Sequence, residues 1–348
     1  MTLHRKIPAT IVTGFLGAGK TSLIRHLLAN ARGKKLALVI NEFGALGIDR
    51  ELLLGCGDAT CSEEDIVELA NGCICCTVAD DFLPTMEKLL ARDEPPDHII
   101  IETSGLALPK PLVKAFAWPE VAGRVTVDAV VVVVDGSAVA DETFNDPRYW
   151  KPGGPAPDHD LPLAEVFGDQ LACADLVIVN KSDLLDDARQ RTVTEALRNG
   201  LRASVKLISA SHAAVDIAVL LGLEAEVESD LSARPSHHDA LPGHDHDDFE
   251  SFVVALPPIV DKTILERALR AAGNEPRVLR IKGFAAVAGK ELRLAVQGVG
   301  PRLSSYFDRP WRDGESREGA VVVIGQKGLD RERLSRLILD ATAPRVNA

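Results

Sequence analysis

A glycine-rich segment near the amino terminus, Gly14–Thr21 with the sequence GFLGAGKT, has the composition and spacing of a phosphate-binding loop. Glycines here let backbone N–H groups approach phosphate oxygens without a Cβ in the way. Lys20 would reach the β- and γ-phosphates as a point charge, and the Thr21 hydroxyl would hold Mg²⁺. The pattern predicts a strand at Ile7–Thr13 and a helix at Ser22–Leu28, which places the phosphates at a helix N-terminus.

A second motif, NKSD at residues 180–183, follows the predicted strand Leu176–Val179 and is typical of guanine recognition. The Asp183 carboxylate would accept hydrogen bonds from both N1–H and the exocyclic amine of guanine, whereas adenine has the wrong donor pattern. Asn180 and Lys181 would brace the base and the phosphate loop. Asp183 at this position is also compatible with a helix N-cap.

The loop after the next predicted strand, Val205–Ile208, is expected to complete the base pocket. Ser209 and Ala210 occupy the companion position, where a backbone N–H can meet guanine O6. Ser211 stands where many GTPases have a lysine, so this loop matches the pattern less closely.

An acid, Glu102, follows the predicted buried strand His98–Ile101, at the position where a Walker-B acid supports the Mg²⁺ shell. Glutamate instead of aspartate leaves open whether the contact to Mg²⁺ is direct or through water. Gly105 would present its N–H to the γ-phosphate. No residue has the position of a catalytic glutamine or an arginine finger, so we expect slow intrinsic hydrolysis, with catalytic roles for Lys20, Thr21 and Glu102.

The predicted nucleotide contacts therefore come from the phosphate loop, the loop after Glu102 and the two base loops. They are Gly14, Gly17, Ala18, Gly19, Lys20, Thr21, Ser22, Gly105, Asn180, Lys181, Asp183, Ser209 and Ala210.

Three of the six cysteines, Cys73, Cys75 and Cys76, fall within four positions. Thiolates this close together can converge on one soft or borderline cation, and Glu42, a histidine or water would complete a tetrahedral site. Glu42 and Asp49 occupy the stretch expected for a switch loop, where they could bind Mg²⁺, the transferred metal, or neither. Two other interpretations stay open: the cysteines are small buried apolar residues, or they form a redox pair.

Four histidines lie in a polar stretch after the nucleotide-binding motifs: His237, His238, His244 and His246. Imidazole binds Co, Ni, Zn and Cu, which makes this stretch a candidate metal collector; a solvated acidic linker is the alternative. Cys56 and Cys61 are either accessory ligands or inert thiols, and Cys173 is expected to pack in the core.

The elements that must position these residues form two groups. With 348 residues the chain is long enough for two domains. Apolar strands alternate with helices at first, which predicts an α/β P-loop GTPase domain with a mostly parallel sheet at residues 1–228. A His/Asp-rich linker follows at 229–248. Four strand patterns and two helix patterns then predict a small α+β domain at 249–348, with strands at Ser251–Leu256, Val278–Phe284, Leu292–Gln297 and Ala320–Ile324.

Composition excludes several classes of partner. The formal net charge of -12 repels phosphate backbones, so no nucleic-acid partner is expected. The longest apolar run, Ala129–Val134, is too short to span a bilayer, so no membrane partner is expected either. No amino-terminal signal is visible, which indicates a cytoplasmic protein with reduced cysteines.

The motifs together resemble the CobW family of P-loop GTPases over nearly the whole chain. The resemblance rests on GFLGAGKTS, NEFG, NGCICC, IETSGLALP, NKSD, the His-rich linker and YFDRPW at 306–311. It implies a GTPase whose C-x-C-C motif binds a transition metal, with Cys75 and Cys76 as direct ligands. It is closest to the cobalamin-biosynthesis branch, which implies Co²⁺ delivery to the cobaltochelatase that metallates the corrin ring. Other relatives handle zinc or serve nitrile hydratase, so the motifs do not select the metal.

The function expected from the sequence joins the two sites. GTP–Mg²⁺ would order the switch loop and bring the cysteines into ligating geometry, and hydrolysis to GDP would release Co²⁺ to its client. A zinc chaperone of the same family, a passive metal store and a redox sensor are the alternatives. A GTP-dependent kinase or ligase would need a second-substrate pocket, for which the sequence offers no residues.

Overall fold

The computed structural model of the chain describes residues 6–31, 33–41, 66–69, 82–141, 162–234, 249–300, 302–311 and 317–342. These residues belong to two compact units, one that ends at Arg234 and one that begins at Phe249. Across the described ranges, every helix is too short or too polar to cross a bilayer.

The first unit contains a seven-stranded sheet in the order β3-β2-β4-β1-β5-β6-β7, and every neighbouring pair in it is parallel. The central strands are buried along most of their length, as apolar strands covered on both faces must be. The strands are β1 Ile7–Thr13, β2 Leu36–Asn41, β3 Ile66–Leu69, β4 His98–Glu102, β5 Val125–Asp135, β6 Leu176–Asn180 and β7 Lys206–Ser209.

The helices of this unit connect the parallel strands. Aspartate side chains cap α5, α7 and α8 by accepting a backbone N–H of the first turn. The described helices are α1 Lys20–Ala29, α2 Leu83–Leu90, α3 Pro109–Ala115, α4 Pro119–Ala122, α5 Gly136–Ala140, α6 Pro162–Cys173, α7 Asp187–Gly200 and α8 Ile217–Leu220.

The second unit is a five-stranded antiparallel sheet in the order β11-β10-β9-β12-β8 with two helices. One sheet face, with Ile281, Leu294 and Val321, shares a buried core with Leu265 of α9 and Leu334 of α10. The elements are β8 Phe249–Leu256, α9 Lys262–Gly273, β9 Val278–Ala285, β10 Leu292–Val299, β11 Arg302–Pro310, β12 Gly319–Gln326 and α10 Arg331–Thr342.

The fold class predicted from the sequence is confirmed: a parallel α/β sheet in the first unit and a separate small α+β unit. Sequence analysis missed two strands, β3 and β11. Strand β3 has only four residues, and β11 contains serines, Asp308 and Pro310, which have low strand propensity. Pairing with β10 makes β11 a strand, so tertiary context overrides the local preference.

Candidate nucleotide site

The phosphate loop lies between β1 and α1, where glycine is required. Gly14, Gly17 and Gly19 have φ values of 133°, 72° and 108°, in the region that L side chains rarely adopt. A Cβ on Gly14 would lie 2.1 Å from the carbonyl oxygen of Val133 in β5. The loop can therefore approach the neighbouring strand this closely only with glycine at that position.

The Lys20 ammonium folds back into the loop that precedes it. Its Nζ donates to the carbonyl oxygens of Gly14 at 2.8 Å and Phe15 at 3.4 Å, and the side chain is buried. Lys20 also begins α1, whose N-cap Gly19 provides no side-chain cap. A positive charge next to the uncapped N–H groups of a helix N-terminus is the arrangement that binds phosphate.

Thr21 and Glu102 meet at the end of β4. The Thr21 hydroxyl donates to Oε1 of Glu102 at 3.1 Å, and Glu102 is buried as the last residue of that strand. A hydroxyl and a carboxylate are hard oxygen donors of the kind that Mg²⁺ prefers. The donor set present therefore fits the magnesium ion predicted from the sequence.

The loop after β4 lies against the phosphate loop. Its first residue, Thr103, donates its N–H to Val12 at 3.0 Å and its hydroxyl to Thr13 at 2.8 Å. Further along, a Cβ on Gly105 would lie 2.9 Å from the backbone nitrogen of Leu16. Gly105, predicted to sense the γ-phosphate, is thus packed directly on the phosphate loop.

Asn180 connects the phosphate loop to the loop that follows β7. Its Nδ2 donates to the Ala18 carbonyl at 2.8 Å, and its Oδ1 accepts the Ala213 N–H at 2.7 Å. The side chain is buried, so both bonds are shielded from water. The bond to Ala18 is a contact of the kind that the predicted bracing role requires.

Lys181 forms an ion pair with Asp135, a residue that sequence analysis did not identify as functional. Lys181 Nζ lies 2.6 Å from Asp135 Oδ2, and Lys181 itself has a left-handed backbone with φ 61°. Oδ1 of Asp135 accepts from Ser137 and Ala138 at the start of α5. The sequence feature that could have identified Asp135 is an acid at the end of an apolar strand. In the structure this acid lies in register with Asn180 on β6.

Asp183 lies in a short 3₁₀ turn at Ser182–Leu184 rather than at a helix N-cap. The Asp183 side chain is about a third exposed, so a guanine base can reach it. Its Oδ2 atom lies 3.9 Å from Nε2 of the exposed His212. The next loop holds this turn, because Ser182 donates its N–H to Ala210 O at 3.0 Å.

The Ala210 N–H is already donated to Val179 O at 2.9 Å, so the predicted bond to guanine O6 would have to replace that contact. Ser209, the other residue predicted there, is the last residue of β7 and is exposed.

The predicted metal ligands Cys73, Cys75 and Cys76 lie outside the described residues, as do Glu42, Asp49 and the four linker histidines. Among the residues that are described, His, Cys, Asp and Glu form no group of three that could hold a metal ion. Cys173 is buried, and burial raises the pKa of its thiol to about 11, which makes it an unreactive core residue.

Comparison with known protein families gives two matches. Residues 8–209 match the profile described as CobW/HypB/UreG, nucleotide-binding domain. Residues 249–342 match the Cobalamin synthesis protein cobW C-terminal domain.

Three curated proteins are similar over most of this chain. A zinc chaperone CobW of Sinorhizobium sp is 51% identical over 333 residues, which cover 93% of this chain and 94% of that protein. A zinc chaperone CobW of Pseudomonas aeruginosa is 50% identical over 348 residues, or 97% and 92% of the two chains. The zinc chaperone YjiA of Escherichia coli is 31% identical over 328 residues, or 92% and 94%.

Proposed function

Because the chain belongs to the CobW/HypB/UreG family, we propose that it is a GTPase that carries a transition metal and delivers it to a client protein. The observation that carries this proposal is the assembly of Lys20, the Thr21–Glu102 pair and the NKSD loop at the carboxyl edge of one parallel sheet. Nucleotides bind at this edge in open α/β sheets.

In this function, Lys20 binds the β- and γ-phosphates and Thr21 and Glu102 hold Mg²⁺, which neutralises phosphate charge. Asp183 reads guanine, while Asn180 and Lys181 hold the base loop. The intrinsic hydrolysis rate is slow, because the motifs contain neither a catalytic glutamine nor an arginine finger.

The nucleotide assignment is tested through base specificity. In Asp183→Asn the side chain presents an amide in place of an acceptor pair, so GTP affinity should fall and xanthosine triphosphate affinity should rise. Asp187→Asn, in the exposed first turn of α7, is the matched control. Unchanged GTP affinity in Asp183→Asn, or tight ATP binding by the parent protein, contradicts guanine recognition.

Zinc is the first candidate for the transported metal, because the similar proteins at 50% and 51% identity are zinc chaperones. Ligand softness also favours Zn²⁺, because thiolate ligands such as those of the cysteine motif select it. Cobalt for corrin metallation, expected from the sequence, is the second candidate. The family matched by residues 249–342 is named for cobalamin synthesis, and in that case the client would be cobaltochelatase.

A metal titration in two nucleotide states tests the carrier function. The protein is titrated with Co²⁺ in GTP–Mg²⁺ and in GDP–Mg²⁺, with a sulfur-to-cobalt charge-transfer band as the signal, and Zn²⁺ is then added as a competitor. We expect the band with GTP, a weak band with GDP and none in Cys75→Ser/Cys76→Ser. Linkage requires bound metal to tighten GTP by the same factor.

Two results of this titration are decisive. Equal metal affinity in the two nucleotide states would leave a passive metal binder. Displacement of Co²⁺ by equimolar Zn²⁺ supports zinc as the transported metal, whereas retention of Co²⁺ under that competition supports cobalt.

A further inference from the structure

Gln170 on α6 contacts the loop that follows β4 from a distant part of the chain. Its Nε2 donates to the carbonyl oxygens of Gly105 at 3.2 Å and Ala107 at 3.1 Å. The side chain is fully buried. Both partners lie in the loop that is packed against the phosphate loop through Gly105.

The orientation of this amide follows from its partners. Both are carbonyl oxygens, which accept only, so the side chain must direct its NH₂ group at them. The Gln170 Oε1 atom is then buried and, within the described part of the chain, has no hydrogen-bond partner. A methionine or leucine would fill the same space but would offer no donor to the Gly105 and Ala107 carbonyls, so the amide is needed for these hydrogen bonds and not for packing alone.

Helix α6 also contacts the phosphate loop, through a second residue on the same face. Phe167 is three positions before Gln170, and its ring packs edge-to-face on Phe15 with a centroid distance of 6.2 Å. Residues three apart on a helix lie on one face. One helix face therefore sets the positions of both loops that flank the expected γ-phosphate.

We propose that Gln170 is a positioning residue for GTP hydrolysis, an inference that rests on the function proposed above. Its two hydrogen bonds fix the peptide groups on the carboxyl side of Gly105. They thereby keep the Gly105 N–H in position to contact the γ-phosphate. GDP lacks the γ-phosphate and does not use this contact. The role of Gln170 is therefore specific to the triphosphate state.

Substitution of Gln170 by residues of similar shape tests this role. Gln170→Met removes both donors, whereas the buried carboxyl of Gln170→Glu takes up a proton and keeps one donor. Val193→Ala, a buried truncation on α7, is the control for stability loss away from the loop. The measurements are the single-turnover rate of GTP hydrolysis and the dissociation constants of GDP and a non-hydrolysable GTP analogue.

We expect Gln170→Met to lower the hydrolysis rate by roughly 10-fold or more and to reduce the preference for the GTP analogue over GDP by a similar factor. GDP affinity should stay within about 2-fold of the parent, and Gln170→Glu should be intermediate in both properties. Val193→Ala should change neither the rate nor the preference.

Equal losses of GDP and GTP-analogue affinity, or a rate in both Gln170 variants that matches Val193→Ala, would overturn the positioning role. If Gln170→Met does not fold, the intermediate behaviour of Gln170→Glu decides the question alone. A parent protein that neither binds nor hydrolyses GTP would instead refute the proposed function, so the two failures are distinguishable.

Discussion

At the scale of single residues, the site depends on close approaches that leave no room for an added atom. Gly19 precedes Lys20, and a Cβ on it would lie 2.3 Å from Nδ2 of Asn180. That nitrogen donates to Ala18 O, so the phosphate loop and the base motif share one contact. Small changes at these residues should therefore affect nucleotide binding directly.

Gly19→Ala should displace Asn180 and lower GTP affinity by roughly 10-fold or more, because the added methyl collides and φ is 108°. Isothermal titration with GTP measures the effect. Gly33→Ala is the control, since Gly33 also has a positive φ of 82° but open space around it. If the two variants lose the same affinity, backbone strain and not the Asn180 contact is responsible.

Asp135→Asn should destabilise the NKSD loop at residues 180–183, because it removes the charge that pairs with Lys181. An asparagine at this position can still cap α5. Breaking a largely buried ion pair costs about 1–3 kcal/mol when the other charge is still partly solvated. Urea unfolding and GTP affinity should both decrease. Asp141→Asn, whose pair with Arg189 is exposed, should change stability by less than about 1 kcal/mol, and a comparable loss there would contradict the prediction.

At the scale of elements, a buried polar network joins three strands of the parallel sheet. Nε2 of His98 in β4 lies 2.8 Å from the Thr10 hydroxyl in β1, which donates to Asp128 in β5 at 3.4 Å. Asp128 also accepts the Gly222 and Glu224 N–H groups. Burial is the main cause that lowers the pKa of His98 to about 4, against the opposing charge of Asp128.

This network predicts a loss of stability in acid. The pKa of His98 is lower in the folded than in the unfolded protein, so its contribution is complete above about pH 6.5 and is lost as the pH falls toward 4. The slope from this group is at most about 1.4 kcal/mol per pH unit. Urea unfolding between pH 7 and pH 4 measures it, and His98→Gln should flatten the curve. The exposed His212→Gln should leave the slope unchanged; equal slopes in His98→Gln and the parent would exclude His98 as the cause.

The two strands missed by sequence analysis show where local patterns are insufficient. Strand β11 is stabilised by Arg293 of β10, whose guanidinium donates to both carboxylate oxygens of Asp308 at 2.8–3.1 Å and lies over the Phe284 ring. Asp308 has low strand propensity by itself, and its partner is 15 residues away in sequence. Only the pairing of the strands reveals why an aspartate is suitable there.

At the scale of the whole molecule, the linker histidines and the cysteine motif are expected to bind metal with different affinities. Replacement of His237, His238, His244 and His246 by Ser should lower the total Zn²⁺ or Co²⁺ bound per chain, because imidazole ligands are lost. The tight, nucleotide-dependent site should remain. Equilibrium dialysis at low and high metal concentration separates the two classes. Loss of the tight site would make the histidines ligands of the main centre.

The sequence by itself determined the nucleotide-binding motifs, the α/β class of the first unit and the family, because glycine spacing, strand-end acids and apolar runs are local properties. Only the tertiary structure decided how those motifs meet. Asp135 and Gln170 carry no recognisable motif, and their roles arise from partners 46 and 65 residues away. Contacts of that kind depend on strand order and helix packing, which set distances that no local pattern encodes.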